Sequence, residues 1–352
     1  MISHNQLNRF VRSLTLAGIL FASPIGIQMS VAQQCEDLLQ GGRFTLVIPF
    51  APGGGFDAYA GIFATSFSQL TDASVRIRYL PGAGGKIGIN AVAEARPEDL
   101  ILGIVDPIFL LNDSILGRDV IGTDSLEWLG ALFVDSTVWV ARNDQPADYT
   151  GLQPRIFAVA SGSDFSRILL PGSALGWNIE LLRGLSGTND AQLALLRGDI
   201  DFSYGSAGTL ANRIATLEGL KVFLSLTDGA NNFFPEAAYL TGQGGIVETL
   251  TAGLSEEQRS ERYLAARIAV DLAKSYRAIY ISSNADQRLV SCLGTAVEET
   301  LISEELSNLA AQQNLPIEPL SGAKLRSEIN ATERLIEDNW ELLQELAARS
   351  IQ

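Results

Sequence analysis

Two short apolar runs constrain this chain more than anything else in it. Phe44-Thr-Leu-Val-Ile-Pro49 and Val75-Arg-Ile-Arg-Tyr-Leu80 each reach a proline and then open into a glycine cluster. The clusters are Pro52-Gly-Gly-Gly55 and Pro81-Gly-Ala-Gly-Gly85, and a helical pattern follows each. After the first cluster, Phe56, Tyr59, Ala60, Phe63, Phe67 and Leu70 recur at helical spacing; after the second, Ile87, Ala91, Val92 and Ala95 do so. Leu100 to Val105 is a third apolar run. The order β-α-β-α-β predicts a parallel sheet with both glycine loops at the carboxyl ends of its strands, where open α/β sheets bind ligands. A helix start offers unpaired N–H groups and a favourable dipole to an anion, and glycine lets backbone approach a ligand closely. Asp57 falls in the first helical turn and is expected to cap it.

Known nucleotide loops do not fit. Gly82-Ala-Gly-Gly-Lys86 is followed by Ile87 where a P-loop needs Ser or Thr, and the Gly-x-Gly-x-x-Gly spacing is not met. The net charge of −15 argues against nucleic acid or an anionic membrane as a partner. With 47% hydrophobic and 18% charged residues over 352, the chain is globular and long enough for about two domains.

The N-terminus reads as an export signal. Arg9 and Arg12 precede an apolar stretch from Leu14 to Ile27, broken by Pro24, and Ser30-Val31-Ala32 fits a small-x-small cleavage rule. Residues 1–32 are expected to be a signal peptide cut after Ala32, leaving an exported, periplasmic protein. The apolar stretch is shorter than the roughly 20 residues a membrane span needs. Loss of two arginines takes the net charge from −15 to −17 and removes His4, the one histidine. A chain without histidine cannot run a Ser-His-Asp or Cys-His mechanism and lacks the commonest metal ligand. No catalytic residue, metal or cofactor is therefore assigned. Cys35 and Cys292, two thiols in an exported chain, suggest one disulfide, with two free thiols as the alternative.

Further along, Asp106-Pro107 follows the third strand, and Asp106 is either a carboxylate at the cleft mouth or a turn residue. Residues 108–128 read as loop-rich and Leu129 to Arg142 as strand. A second α/β unit spans 156–226, with Ser161-Gly-Ser-Asp-Phe-Ser166 turning into a short helix that Pro171-Gly172 interrupts. A long amphipathic helix is expected over Leu325 to Leu346.

Val47-Ile-Pro-Phe-Ala-Pro-Gly-Gly-Gly-Phe-Asp57 with Pro81-Gly-Ala-Gly-Gly-Lys-Ile-Gly88 resembles the paired signature of the substrate-binding proteins of tripartite tricarboxylate transporters, the Bug family. Ser161-Gly-Ser163, Gly198-Asp-Ile-Asp201 and Phe234-Pro235 through Tyr239 are similar to later family segments. The resemblance implies an α/β, type II periplasmic binding protein (Venus flytrap) with mainly parallel sheets flanked by helices and a hinge crossed twice. It places one domain at 33–105 plus 227–352 and the other at 106–226. It implies ligand contacts at Pro52, Gly53, Gly54, Ala83, Gly84 and Gly85 from one domain and Ser161, Ser163 and Ser166 from the other. Asp106, Asp164 and Ser186 join the candidates where the chain departs from the family pattern. The family's Tyr-Lys-Gly turn is Leu185-Ser186-Gly187 here, so a cation is lost, and 245–275 looks inserted. Two added carboxylates and a lost lysine disfavour a di- or tricarboxylate. A ligand with one carboxylate plus an amine or other donor, or a less anionic acid, is expected.

The implied function is a monomeric solute receptor that closes by hinge motion and delivers to membrane permease subunits. A sensor for a membrane kinase, a histidine-free hydrolase or lyase using Asp106 and Asp164 as acid and base, and a surface protein that has lost binding are the rivals.

Overall fold

The computed structural model describes residues 31–118, 121–150, 154–159, 162–185, 187–214 and 218–351. The predicted signal peptide thus falls almost wholly outside the described residues. No helix among the described residues is long and apolar enough to cross a membrane.

The strands are β1 (Arg43–Ile48), β2 (Ser74–Tyr79), β3 (Ile101–Val105), β4 (Leu126–Asp135), β5 (Thr137–Arg142), β6 (Arg155–Ala158), β7 (Ile179–Leu182), β8 (Ser203–Ser206), β9 (Leu220–Asp228), β10 (Tyr239–Thr241), β11 (Ser275–Ser282) and β12 (Leu320–Ser321). The helices are α1 (Val31–Leu39), α2 (Gly55–Thr71), α3 (Lys86–Ala93), α4 (Ile108–Ile115), α5 (Leu170–Leu175), α6 (Thr188–Arg197), α7 (Ala207–Ile214), α8 (Ile246–Thr251), α9 (Glu256–Leu272), α10 (Gln287–Leu301), α11 (Glu304–Gln312), α12 (Gly322–Asp338) and α13 (Trp340–Ile351).

Among the described residues the strands form a six-stranded sheet in the order β12-β4-β11-β3-β1-β2, a four-stranded sheet β10-β9-β5-β8, and the pair β6-β7. β1 is parallel to β2 and β3, as predicted from the two glycine crossings. β11 runs antiparallel to β3 and β4, and β5 antiparallel to β8 and β9. Both sheets are therefore mixed, where mainly parallel ones were expected. β4 runs into β5 with no helix between them as the chain changes sheet, and β11 returns to the large sheet after α8 and α9.

Alternation along β1 shows how the large sheet is sandwiched. Phe44, Leu46 and Ile48 face one core with Phe63 and Phe67 of α2 and Leu293 and Val297 of α10. Val47 faces the other, with Val92 of α3 and Leu325 of α12. This second core runs on into the smaller sheets through Trp139, Phe157 and Phe202. Cys35 on α1 and Cys292 on α10 form a disulfide across 257 positions. Its removal by a double serine exchange is expected to cost about 2–5 kcal/mol and lower Tm by roughly 5–15 °C. A melting curve that did not move would overturn this assignment of stability to the bridge.

The strand pattern Leu129–Arg142 is broken at Ser136, where the chain passes from the six-stranded to the four-stranded sheet. It returns at Ser275. The expected domain limits at 105/106 and 226/227 do not coincide with these changes of sheet. Residues read as loop after Pro107 form α4, because proline starts a helix without needing its own N–H. Phe165–Leu169 is a π-helical turn that runs into α5, so Pro171 lies in the first turn of α5 rather than ending the helix. The expected C-terminal helix is two helices, divided at Asn339.

Candidate functional site

A cavity of about 200 Å³ opens between the two large sheets. Its near wall is the first glycine loop. Gly53 turns the chain back with a φ of +86°, a conformation that suits glycine. Asp57 fixes this turn: one carboxylate oxygen accepts the Gly53 N–H at 2.7 Å and the other the Tyr79 hydroxyl at 2.6 Å. Asp57, expected to cap the helix, therefore serves the loop instead. Pro52, Gly54 and Gly55 line the cavity, and no side chain caps the start of α2. A Cβ on Gly55 would lie 3.0 Å from Thr209 Cγ2 and 3.3 Å from Arg277 Nη2. Glycine there allows the two sides of the cleft to approach.

The far wall comes from the four-stranded sheet. Thr188, Asn189 and Asp190 open α6, which also has no side-chain cap. Ser203, Tyr204 and Ser206 of β8 and Thr209 of α7 add hydroxyls. Asn189 Nδ2 reaches across to the Gly53 carbonyl at 3.4 Å. The starts of α2 and α6 thus border the same space from opposite sides, with no side-chain cap at either N-cap residue among the described residues, an arrangement that favours an anion. The start of α7 is already occupied: Asp135 accepts the N–H of Gly208 and the hydroxyl of Ser206. Burial pushes the Asp135 carboxyl above its usual range despite these bonds.

Arg167 and Arg277 line the cavity and are 5% and 4% exposed. Arg167, set in the π-helical turn, pairs with Asp106 and donates to the Lys274 carbonyl at 2.8 Å. Arg277 rises from β11, a strand buried along all eight residues. Its Nη1 donates to Ser275 Oγ at 2.9 Å and the Tyr276 carbonyl at 3.2 Å, and Nη2 to Thr209 Oγ1 at 3.3 Å. Its guanidinium lies 4.5 Å from the Phe56 ring centroid and 5.5 Å from that of Tyr59. Among the described residues it has no ion-pair partner, and its Nε has no hydrogen-bond partner. Burial pulls its pKa down, yet a guanidinium stays charged in a protein. Asp106 and Asp135 act on it from beyond ion-pair distance, and a buried cation without a counter-charge in contact is costly, so this position favours an anion arriving from outside.

The residues predicted from sequence divide sharply. Pro52 and Gly54 face the cavity, and Gly53 sits behind them. Ala83, Gly84 and Gly85 do not line it. The second glycine loop is shut by the Gly162 N–H, which donates to the Gly84 carbonyl at 3.0 Å. Gly84 borders a separate cavity of about 20 Å³. Ser163 and Ser166 are buried, the first 3.3 Å from the Tyr204 hydroxyl, the second with its N–H on Asn112 Oδ1. Ser161 and Ser186 lie outside the described residues.

Neither carboxylate expected at the ligand lies on the cavity. Asp106 is fully buried; it pairs with Arg167 and accepts the N–H groups of Tyr276 and Ile108. Asp164 is also fully buried, with Arg118 at 3.1 Å, Arg183 at 2.8 Å and Asn112 Nδ2 at 3.1 Å. Burial raises the Asp164 carboxyl, but the two guanidiniums pull it further, so the net direction is down. With both paired to arginine and away from the cavity, they form no acid–base couple there. Asp106 and Asp164, expected at the ligand, are thus set away from this cavity. Asp190 is the carboxylate on the cavity wall.

Sequence reasoning missed both arginines. The available signal was an arginine inside an apolar run: Arg277 in Ser-Tyr-Arg-Ala-Ile-Tyr-Ile, and Arg167 in Phe-Ser-Arg-Ile-Leu-Leu. It missed Phe50, Phe56 and Phe109 as cavity residues because each also fits a core pattern.

Two mixed α/β units around a cleft define the two-domain periplasmic binding protein fold, of Venus flytrap type. No described protein family matches the chain in sequence, and no curated protein does. Solved structures match across nearly their whole length. The periplasmic binding protein BugD superposes with a TM-score of 0.66 at 17% identity, covering 85% of this chain and 97% of its own. MatC of Rhodopseudomonas palustris, solved with malate, gives 0.65 at 16% identity over 86% and 99%. A second R. palustris protein, solved with adipate, gives 0.62 at 16% identity over 87% and 97%. At such identities the likeness establishes the fold.

Proposed function

We propose that the protein is an extracytoplasmic solute receptor that captures a small organic carboxylate in the cleft between its two sheets. Arg277 carries the reading: a buried, charged guanidinium on the cavity, unpaired with any described carboxylate. A ligand carboxylate would supply a contacting counter-charge, with the starts of α2 and α6 and the hydroxyls of β8 completing its hydrogen bonds. The fold shared with the malate- and adipate-bound structures supports the same reading. The domains divide where the strands change sheet, at Ser136 and between Thr241 and Ser275. The cleft between them closes by hinge motion, and the loaded form docks on membrane permease subunits. The reaction is binding, not turnover.

Mass spectrometry of the native protein is expected to find a co-purifying small acid, recovered unchanged and at one per chain. Calorimetry with organic acids is expected to show dissociation constants near or below about 1 μM. If a broad panel of carboxylates gave no heat and no thermal shift, the reading would fall.

A further inference from the structure

We infer that the ligand is a one-ring aryl monocarboxylate rather than a chain dicarboxylate; this rests on the receptor reading above.

Charge comes first. Of the two arginines on the cavity, Arg167 already holds Asp106. That leaves Arg277, among the described residues, as the cavity-lining cation with no ion-pair partner. One guanidinium matches one carboxylate. Across the cavity, the side chain that carries charge is Asp190, an anion. A second ligand carboxylate would find hydroxyls of β8 and the start of α6 there but no guanidinium, and it would meet the like charge of Asp190, which raises its cost.

The apolar wall has a particular form. Phe50 and Phe56 stack with centroids 5.1 Å apart and planes at 29°. Phe109 stands edge-on to Phe50 at 5.6 Å and 84°. All three border the cavity, and Phe56 lies directly beneath the Arg277 guanidinium. Aromatic rings prefer offset-stacked and edge-to-face partners, and this trio presents both. A ligand whose carboxylate meets Arg277 would lay its body along these rings.

Size agrees. A cavity of about 150 Å³ lined by apolar side chains holds one benzene. The cavity here, about 200 Å³, adds room for a carboxylate.

The test is calorimetric titration of the purified protein with benzoate, phenylacetate, malate and adipate. Benzoate or phenylacetate is expected to bind at least about tenfold more tightly than either dicarboxylate. Phe50→Ala is expected to weaken the aryl acid about tenfold and acetate by less than about twofold. Should that variant not fold, benzoate against cyclohexanecarboxylate on the unaltered protein gives the same comparison, with benzoate expected tighter. Tighter malate or adipate would overturn the aryl assignment and leave the receptor reading standing. No binding by any of the four, with none by a wider carboxylate panel, would overturn both.

Discussion

Replacing Arg277 with methionine is expected to weaken carboxylate binding by about a hundredfold or more, roughly 3 kcal/mol, while leaving the fold about as stable as before. The binding loss follows from removing one partner of a desolvated, hydrogen-bonded charge pair, which costs about 2–5 kcal/mol. The stability expectation follows from the state without ligand. There the guanidinium is 4% exposed and has no ion-pair partner among the described residues. Exchanging a buried charge for an apolar side chain of similar volume is often neutral or stabilising. Against this stand the bonds to Ser275, Tyr276 and Thr209 and the stacking on Phe56, each worth about 1 kcal/mol. The terms nearly offset. Arg277→Lys keeps the charge but not the planar fork, so its affinity should fall between the two. Calorimetry and thermal melts on the three proteins check this; an affinity unmoved by the methionine exchange would remove Arg277 from the site.

Asp106→Ala is expected to behave in the opposite way, destabilising by about 3–5 kcal/mol. Asp106 is fully buried and pairs with Arg167, itself 5% exposed with its Nε unpartnered among the described residues. Loss of the carboxylate strands that cation in the interior. It also strips the acceptor from the N–H groups of Ile108 and Tyr276, which belong to α4 and β11. Removing both charges, as in Asp106→Leu with Arg167→Met, should restore most of the stability, because the two sites act as one unit. Denaturant unfolding measures both. A loss below about 1 kcal/mol in the alanine variant would show that Arg167 finds another partner. The contrast between the two arginines is informative: one belongs to the fold's own charge balance, the other awaits a charge.

The glycine clusters made much of the fold legible. Each βα crossing has proline, then glycines, then apolar residues at helical spacing, and β1, β2 and β3 pair in parallel as that pattern requires. Of the first loop, Pro52 and Gly54 line the cavity. The second was expected to be its equal and is not. Nothing in Pro81 to Lys86 tells that the Gly162 N–H, 78 positions later, will seat on the Gly84 carbonyl. Likewise Asp106 and Asp164 look alike in sequence to ligand-facing carboxylates. Their role depends on which cations the fold brings alongside, and Arg167, Arg118 and Arg183 come from other elements.

The sequence alone determined what local chemistry controls: an α/β chain, glycine loops opening into helix starts, and cysteines able to pair. Periodicity and glycine placement act over a few residues, so they can be read without the fold. Tertiary structure decided which of these features meet. It closed one glycine loop and left the other open, hid two carboxylates beneath arginines, and set Arg277 of a late strand over the Phe56 ring of an early helix. Charge balance in an interior depends on distances between residues far apart in sequence, and those distances exist only once the chain has folded.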